Sequence, residues 1–413
     1  MGLTKIDQKD YKLYLDLSGD DLKLFKWLLT KSLKSSDSLL WLDVEDDGSV
    51  YGRVKHKGGN TPLQAWACLS APNQGSSDCP LFVSLPVQEV RQAIKEAEAG
   101  HKDDANRLLI TLDGSGLIWV NRKRVGGNKL SMQDVADGLF VSVVEHSWDL
   151  PHGRPAGNPL AAIVDYQMIL KYAAPHAAGV SDPVRYEMAF VWLTRGRAMA
   201  LDNLKICSYQ RPAVAADCDL VPIRSDVFKA ESKAKSAFYF ANDDGISSSI
   251  CFTTGCDHGF SWDTPDSLEP MIEKGLNIIE AHRCLPWAVT ISVKPVVLAL
   301  REQIKAAREV EEIPYVEIDP VNGLSLITGD TRAPVVPLMV VDDGFLSGPV
   351  YIFSAHLFAL LSSLSTEYCD LRFGPKTGKL PGNGLYASEG LHLEMAFMPC
   401  TTFASTKNPK ESK

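Results

Sequence analysis

The 413-residue sequence lacks the segments that mark membrane-bound and secreted proteins. No run approaches the roughly 18 consecutive apolar residues that a membrane-spanning helix needs. The first residues, MGLTKIDQKDYK, contain no apolar core of the kind found in signal peptides. We therefore expect a cytoplasmic protein that does not enter a membrane.

The nine cysteines contain no C-x-x-C pair. Their number is odd and their positions are scattered, which favours reduced, buried thiols over a disulfide framework. The spacing of Cys251, Cys256 and His258 could suggest a metal site, but no second pair of ligands stands nearby in the sequence. We expect no metal and no cofactor.

Common catalytic motifs are also missing. The segment GPKTGK (374–379) has only three residues between its glycines, so it does not match a phosphate-binding loop. Neither G-x-S-x-G nor H-E-x-x-H occurs. We expect no catalytic residues, and an enzyme is the less favoured alternative.

What the sequence does contain is a repeated order of elements. Residues 11–17 alternate at the period of a strand, and from Asp21 onward apolar residues fall at helical spacing. A hairpin around Asp46-Asp47-Gly48 and a strand at 63–69 follow. The same β-α-β-β-β order begins again at 81–86 and recurs about six times along the chain.

This count predicts a mixed α+β fold in which one helix accompanies three strands. A parallel α/β fold would need about one strand per helix, so the sheets should be largely antiparallel, each with helices on one face. Two segments rich in turn formers are predicted to separate three domains. The predicted boundaries are 1–145, 159–265 and 287–399 for the domains, 146–158 and 266–286 for the linkers, and 400–413 for a polar tail.

Three strings stand out within this order: the opening YKLYLDLSGDDLKLFKWLL, the segment CDLVPIRSDVFK (218–229), and the last strand, GLHLEMAFMP (390–399), with its Met-Pro ending. Together they resemble the corresponding segments of bacterial-type DNA sliding clamps, the β subunits of DNA polymerase III. The resemblance covers roughly residues 11–399. It implies three clamp domains, each made of two β-α-β-β-β half-modules, with antiparallel sheets outside and a helix pair lining a ring.

The chain departs from the clamp pattern in three ways. It is longer than a usual clamp, and it continues past Met-Pro into CTTFASTKNPKESK (400–413). In addition, ALDNLKICSY (200–209) stands where the family usually has a Thr-Asp-Gly-His-Arg-Leu motif. Such divergence suits a clamp encoded by a phage or a mobile element.

The resemblance implies a DNA polymerase processivity factor that encircles duplex DNA without reading its sequence. A chain with three domains would close the ring as a homodimer, and peptides of the polymerase and the clamp loader would dock on it. Such a protein is a non-catalytic accessory subunit, cytoplasmic and associated with the nucleoid. The alternative is a clamp-fold binding or scaffold protein that does not encircle DNA.

The net charge of −9 argues against DNA binding only if it is evenly spread. The six predicted helical segments hold more Lys and Arg than Asp and Glu, so the rest of the chain is strongly acidic. This distribution would give a positive bore on an acidic body, although solvated helix faces are the simpler alternative. The predicted DNA-facing cations are Lys23, Lys26, Lys34, Arg91, Lys95, Lys171, Arg224, Lys229, Lys233, Arg301, Lys305 and Arg308.

By position, the resemblance also implies a groove for partner peptides. Met398 and Pro399 would form part of it, with Leu201, Leu204 and Lys205 as further members. An exposed methionine suits a groove that accepts different peptide anchors. The alternative is that Met398 is the last core residue of an edge strand.

Overall fold

The computed structural model divides the chain into two compact units. Unit 1 comprises Met1–Ile163 and Ala234–Asp266, and unit 2 comprises Val164–Lys233 and Ser267–Lys413. The residues that the structure describes are 11–36, 38–45, 47–57, 63–75, 81–100, 107–113, 117–121, 123–126, 155, 157–179, 186–202, 205–211, 213–216, 220–241, 247–253, 255–265, 269–285, 287–319, 323–336, 339–340, 350–375, 383–390 and 392–397.

These described residues form helices and a larger number of strands. The helices are α1 (Gly19–Lys31), α2 (Val87–Gly100), α3 (Tyr166–Tyr172), α4 (Ser225–Ala230), α5 (Glu269–Arg283), α6 (Val293–Glu309) and α7 (Ser354–Leu361), with 3-10 turns at Ala174–His176 and Tyr186–Ala189. The strands are β1 (Tyr11–Ser18), β2 (Leu39–Val44), β3 (Val50–Lys57), β4 (Leu63–Leu69), β5 (Leu81–Pro86), β6 (Arg107–Asp113), β7 (Ile118–Val120), β8 (Lys123–Gly126), β9 (Ala161–Ile163), β10 (Phe190–Leu193), β11 (Ala198–Leu201), β12 (Lys205–Tyr209), β13 (Val214–Ala216), β14 (Val221–Arg224), β15 (Ala237–Ala241), β16 (Ser247–Cys251), β17 (His258–Asp263), β18 (Trp287–Ser292), β19 (Tyr315–Asp319), β20 (Gly323–Thr328), β21 (Thr331–Val336), β22 (Met339–Val340), β23 (Val350–Phe353), β24 (Tyr368–Pro375), β25 (Asn383–Glu389) and β26 (Leu393–Phe397).

The predicted β-α-β-β-β order is confirmed, and it occurs six times in the described residues. The six modules are β1-α1-β2-β3-β4, β5-α2-β6-β7-β8, β9-α3-β10-β11-β12, β14-α4-β15-β16-β17, β18-α6-β19-β20-β21 and β23-α7-β24-β25-β26. Strands β13 and β22 are additions to this pattern. The α+β class with antiparallel sheets is confirmed as well.

Neighbouring modules exchange their first strands. In unit 1, β1 pairs with β6, and β5 pairs with β2. The same exchange pairs β9 with β15, β14 with β10, β18 with β24, and β23 with β19. Since a helix follows each exchanged strand directly, the exchange also carries the helices of two neighbouring modules towards each other.

Unit 1 holds two sheets. One has the strand order β1-β6-β7-β8, and the other runs β9-β15-β16-β17-β4-β3-β2-β5. Helix α1 packs on β3 and β4 and buries Leu22, Phe25 and Leu28, which stand at helical spacing in the sequence. Strand β17 joins β4, with Phe260 opposite Ala65, so one sheet continues from the first module to the fourth.

Unit 2 also holds two sheets, with the orders β14-β10-β11-β12-β26-β25-β24-β18-β22 and β21-β20-β19-β23. In the chain, helix α5 follows the fourth module and precedes the fifth. It packs on β12, β25 and β26. The segment predicted as the linker 266–286 therefore contains a helix that the sequence analysis did not anticipate. Most of the linker 146–158 and the whole tail 400–413 lie outside the described residues, and the division into three domains stays a prediction.

In the part of the chain that the structure describes, no helix is both long enough and apolar enough to cross a bilayer.

At Gly259 two strands of unit 1 approach each other closely. It lies opposite Cys251, and a Cβ at this position would overlap the carbonyl oxygen of Ile250 and lie 2.8 Å from Cζ2 of Trp66. We predict that Gly259→Ala lowers the free energy of unfolding by about 1–3 kcal/mol, because the strands must move apart. Urea denaturation measures the effect, and Gly196→Ala, where a Cβ meets nothing within 4 Å, is the matched control. Equal stability of the two variants would contradict this packing.

Candidate functional site

Helices α1 and α2 carry four of the predicted DNA-facing cations, and a fifth, Lys34, follows the end of α1. Lys23, Lys34 and Lys95 are exposed, and Lys26 is half-buried. Nζ of Lys23 lies 2.7 Å from the Asp20 carboxylate, and Nζ of Lys26 lies 2.8 Å from that of Glu98 on α2. The hydrogen bond from Lys23 holds the pKa of the Asp20 carboxyl below its usual value. These two carboxylates offset part of the positive charge on this helix pair.

Arg91, the remaining cation of this set, is used inside unit 1. Its guanidinium donates hydrogen bonds to the carbonyl oxygen of Leu29 and, over 2.8 Å, to Oγ of Ser32. Both acceptors lie at the C-terminal end of α1, where a cation stabilises the unpaired carbonyls of a helix. Arg91 therefore joins α2 to α1, and we assign it a structural role.

Arg224 contradicts its predicted place on a DNA-facing surface. The residue ends β14, a strand buried at every position, and its side chain is 0% exposed. Its Nη2 and Nε lie 2.8 and 3.2 Å from the two carboxylate oxygens of Asp226, whose side chain is 3% exposed. A buried charge needs such a partner. The prediction for Arg224 is therefore wrong, because the residue lies at the end of a buried strand and not on the exposed face of the helix that follows it.

The other cations of the α3–α4 pair lie at the surface. Lys171, Lys229 and Lys233 are exposed. Nζ of Lys171 lies 2.8 Å from Oη of Tyr172 and 4.3 Å from the centre of its ring. The two helices meet through Tyr166 and Phe228, whose ring centres are 4.9 Å apart.

The α6–α7 pair has its charge on one helix. Helix α6 buries Val296, Leu300 and Ala307. Its cations Arg301, Lys305 and Arg308 are exposed and recur at helical spacing. The Arg301 guanidinium lies 5.9 Å from the ring centre of Phe358 on α7, so this side chain extends from α6 to α7.

Strands β12 and β26 are central to the predicted peptide groove. They pair antiparallel with Lys205 opposite Phe397, the residue that precedes Met398 in the chain. Nζ of Lys205 lies 3.6 Å from the Asp202 carboxylate, and Leu201 is buried opposite Ile206. Leu204, Met398 and Pro399 lie outside the described residues, so the groove stays a prediction.

Two histidines near this strand pair were not found by sequence reasoning. The ring centre of His356 on α7 is 5.7 Å from that of Phe397, and burial holds the pKa of His356 below its usual value. His176 is buried, with Nε2 3.1 Å from Oγ of Ser363. Burial, followed by the charge of Lys205, lowers the pKa of His176 to about 3. No sequence motif marks either histidine, because each contacts a residue that is distant in the sequence.

The chemistry of the described side chains is that of exposed charge rather than of a metal centre. Within the part of the chain that the structure describes, no three His, Cys, Asp or Glu side chains are grouped so that they could hold a metal ion. The exposed lysines and arginines can attract phosphate through water without contacting bases, which is the interaction that sequence-independent DNA binding requires.

Bacterial sliding clamps share this fold. A putative DNA polymerase III β subunit from Eubacterium rectale superposes with a TM-score of 0.63 at 9% identity, covering 94% of this chain and 100% of that chain. The sliding clamp of Caulobacter crescentus gives 0.62 at 13% identity, with coverages of 94% and 99%. The Helicobacter pylori β clamp bound to a DNA ligase peptide gives 0.57 at 12% identity, with coverages of 94% and 99%.

The likeness lies in the structure and is weak in the sequence. No protein-family model matches the chain, and no curated protein matches it. The structural coverage nevertheless extends over nearly the whole chain and the whole of each clamp. The chain therefore has the sliding-clamp fold, as the order of its modules and the resemblance of three strings predict.

The buried His176 should make the folded state sensitive to acid. Its folded pKa of about 3 lies below the ordinary value of 6.5, so below about pH 6.5 the unfolded chain gains a proton that the folded chain does not. Stability should fall by about 1.4 kcal/mol per pH unit through this residue until the folded pKa is reached. We predict that His176→Gln loses about 2 kcal/mol less than wild type between about pH 7 and about pH 5 in urea denaturation. Parallel pH profiles of the two proteins would argue against this burial.

Proposed function

We propose that the chain is a sliding clamp, a processivity factor that encircles duplex DNA and tethers a DNA polymerase to it. The observation that carries the proposal is the likeness to bacterial clamps over 94% of the chain. In this proposal the protein is a non-catalytic accessory subunit that acts in the cytoplasm, at the nucleoid. Its ring consists of two copies, and the paired helices of the modules line the bore.

The surface charge supports this assignment. The proposed DNA-facing residues are the exposed cations Lys23, Lys34, Lys95, Lys171, Lys229, Lys233, Arg301, Lys305 and Arg308, together with the half-buried Lys26. They lie on or next to helices whose opposite faces are buried against the sheets, so the charge points away from the core. A ring needs only loose attraction to phosphate, because its topology keeps it on the DNA, and long flexible lysines provide such attraction.

The cations of α6 give the sharpest test of the bore. We predict that Ala substitution of Arg301, Lys305 and Arg308 together weakens binding to duplex DNA. The plot of the logarithm of the binding constant against log salt should also become less steep, by about 1–3 units of slope, because fewer counterions are released. Fluorescence anisotropy with a linear duplex that has open ends measures both quantities over a salt series.

The matched control removes the same charge from other places. Arg195, Arg211 and Lys274 are exposed and lie outside α6. Their triple Ala variant should retain the wild-type slope. If both triple variants lose affinity equally, the binding depends on net charge alone and the bore assignment fails.

Exposed apolar residues at the end of α6 support ring closure by a second copy. Val310 and Ile313 are 61% and 67% exposed and stand between α6 and β19. Large apolar side chains grouped at a surface indicate an interaction site. We propose that this patch contacts the second chain, since a clamp closes by repeating one interface around a two-fold axis.

The dimer interface can be tested by adding charge to this patch. We predict that Val310→Asp combined with Ile313→Asp converts the dimer into a monomer, because two carboxylates would be desolvated at the interface. Sedimentation velocity at micromolar concentration measures the mass. Leu160→Asp, at a residue 48% exposed and outside the patch, should leave the dimer intact. A wild-type monomer, or a dimer that survives both substitutions, would overturn this interface.

We also propose that partner peptides dock beside the end of β26. The proposal is supported by Phe397, which pairs with Lys205 and contacts the ring of His356, and which directly precedes Met398 and Pro399 in the sequence. The Helicobacter pylori clamp, which shares the fold, was solved with a DNA ligase peptide bound. Peptides of a polymerase and of a clamp loader are the proposed occupants of the groove in this chain.

A further inference from the structure

Two cysteines that lie far apart in the sequence meet at one edge of the β4–β17 pair. Cys68 and Cys256 are separated by 188 residues, yet Sγ of Cys68 lies 3.8 Å from the carbonyl oxygen of Cys256. The backbone N–H of Cys68 donates to the carbonyl oxygen of Asp257 over 2.7 Å. This hydrogen bond holds Cys68 beside the residue that follows Cys256, so the two thiols belong to adjacent backbone segments.

Both thiol side chains lie on the same face of the sheet. They pack against one cluster, which is formed by Trp66, Phe240 and Cys251. Cys68 and Cys256 are partly exposed, whereas Cys251 is fully buried. A small oxidant can therefore reach the first two thiols more easily than the third.

A tight turn gives Cys256 this position. The N–H of Cys256 donates to the carbonyl oxygen of Thr253 over 3.2 Å, and Oγ1 of Thr253 lies 3.3 Å from the Asp257 carboxylate. Cys256 has a φ of 52°, in the left-handed region that residues other than glycine rarely adopt. In a strand, successive side chains point to opposite faces of the sheet, and the turn interrupts this alternation. Cys256 can therefore lie on the same face of the sheet as Cys68. Strain kept at one residue commonly marks a functional position.

We propose that Cys68 and Cys256 are a redox modification site, at which a peroxide produces a reversible disulfide within the chain. The bond would join β4 to the turn before β17. These strands belong to the first and fourth modules, so the disulfide would secure the sheet at the place where the two modules meet. The inference is independent of the proposed binding to DNA.

The chemistry is a two-electron oxidation that balances with hydrogen peroxide. The thiolate of one cysteine attacks a peroxide oxygen and breaks the O–O bond, which gives a sulfenic acid and hydroxide; the hydroxide takes up the proton that the thiol had released and leaves as water. The second thiolate then attacks the sulfenic sulfur, forms the S–S bond and releases hydroxide, which takes up a proton. In total, two thiols and one hydrogen peroxide give one disulfide and two water molecules. A dithiol reductant reverses the step by thiol–disulfide exchange.

The expected result is a specific crosslink in the full-length protein. After limited treatment with hydrogen peroxide, the wild-type chain should lose two of its nine thiols, counted with a thiol reagent in denaturant. Peptide mapping by mass spectrometry without reduction should find one pair of peptides joined through Cys68 and Cys256. Dithiothreitol should restore both thiols.

Single substitutions distinguish this site from general oxidation. Cys68→Ser and Cys256→Ser should each abolish the crosslink, while Cys284→Ser, which removes an exposed thiol elsewhere, should oxidise like the wild type. The map of the wild-type protein does not depend on how the variants fold. A crosslink between any other pair of cysteines would overturn the proposal, as would oxidation of Cys256 to sulfinic acid without a crosslink.

Discussion

The exchange of first strands between neighbouring modules is the constraint on which the rest of the structure depends. A β-α-β-β-β module alone would offer three consecutive strands with unpaired edges. In the first pair, β1 adds an edge strand beside β6 and β5 adds one beside β2, so the sheet of each module includes a strand from the other. The exchange also brings the two helices of each pair into contact, as with Lys26 and Glu98 on α1 and α2.

This constraint also decides where charge can go. The sheets cover the apolar faces of the helices, so Lys305 and Arg308 are left on the exposed face of α6. Two other cations form contacts inside the fold and add no charge to this exposed face. Arg91 binds the end of α1, and Arg224 is buried with Asp226. A count of basic residues along the helices therefore overestimates the exposed positive charge.

The sequence predicts the order of elements better than their partners. Alternating and helical periods identified the six modules, since each period depends only on nearby residues. The helix at Glu269–Arg283 was missed, because it follows a segment rich in turn formers that resembles a linker. The pairing of Phe260 with Ala65, the burial of Arg224 and the meeting of Cys68 with Cys256 depend on strands distant in the chain. No local pattern contains that information.

The central claim is that the protein surrounds DNA, and retention on a duplex with a blocked end tests it most directly. One end of the duplex is tethered to a bead, the protein threads over the open end, and biotin–streptavidin then closes that end. A ring should remain on the blocked duplex in high salt, where attraction to phosphate is screened, and should leave when a restriction enzyme cuts the duplex. Equal loss from blocked and open duplexes in high salt would contradict the account.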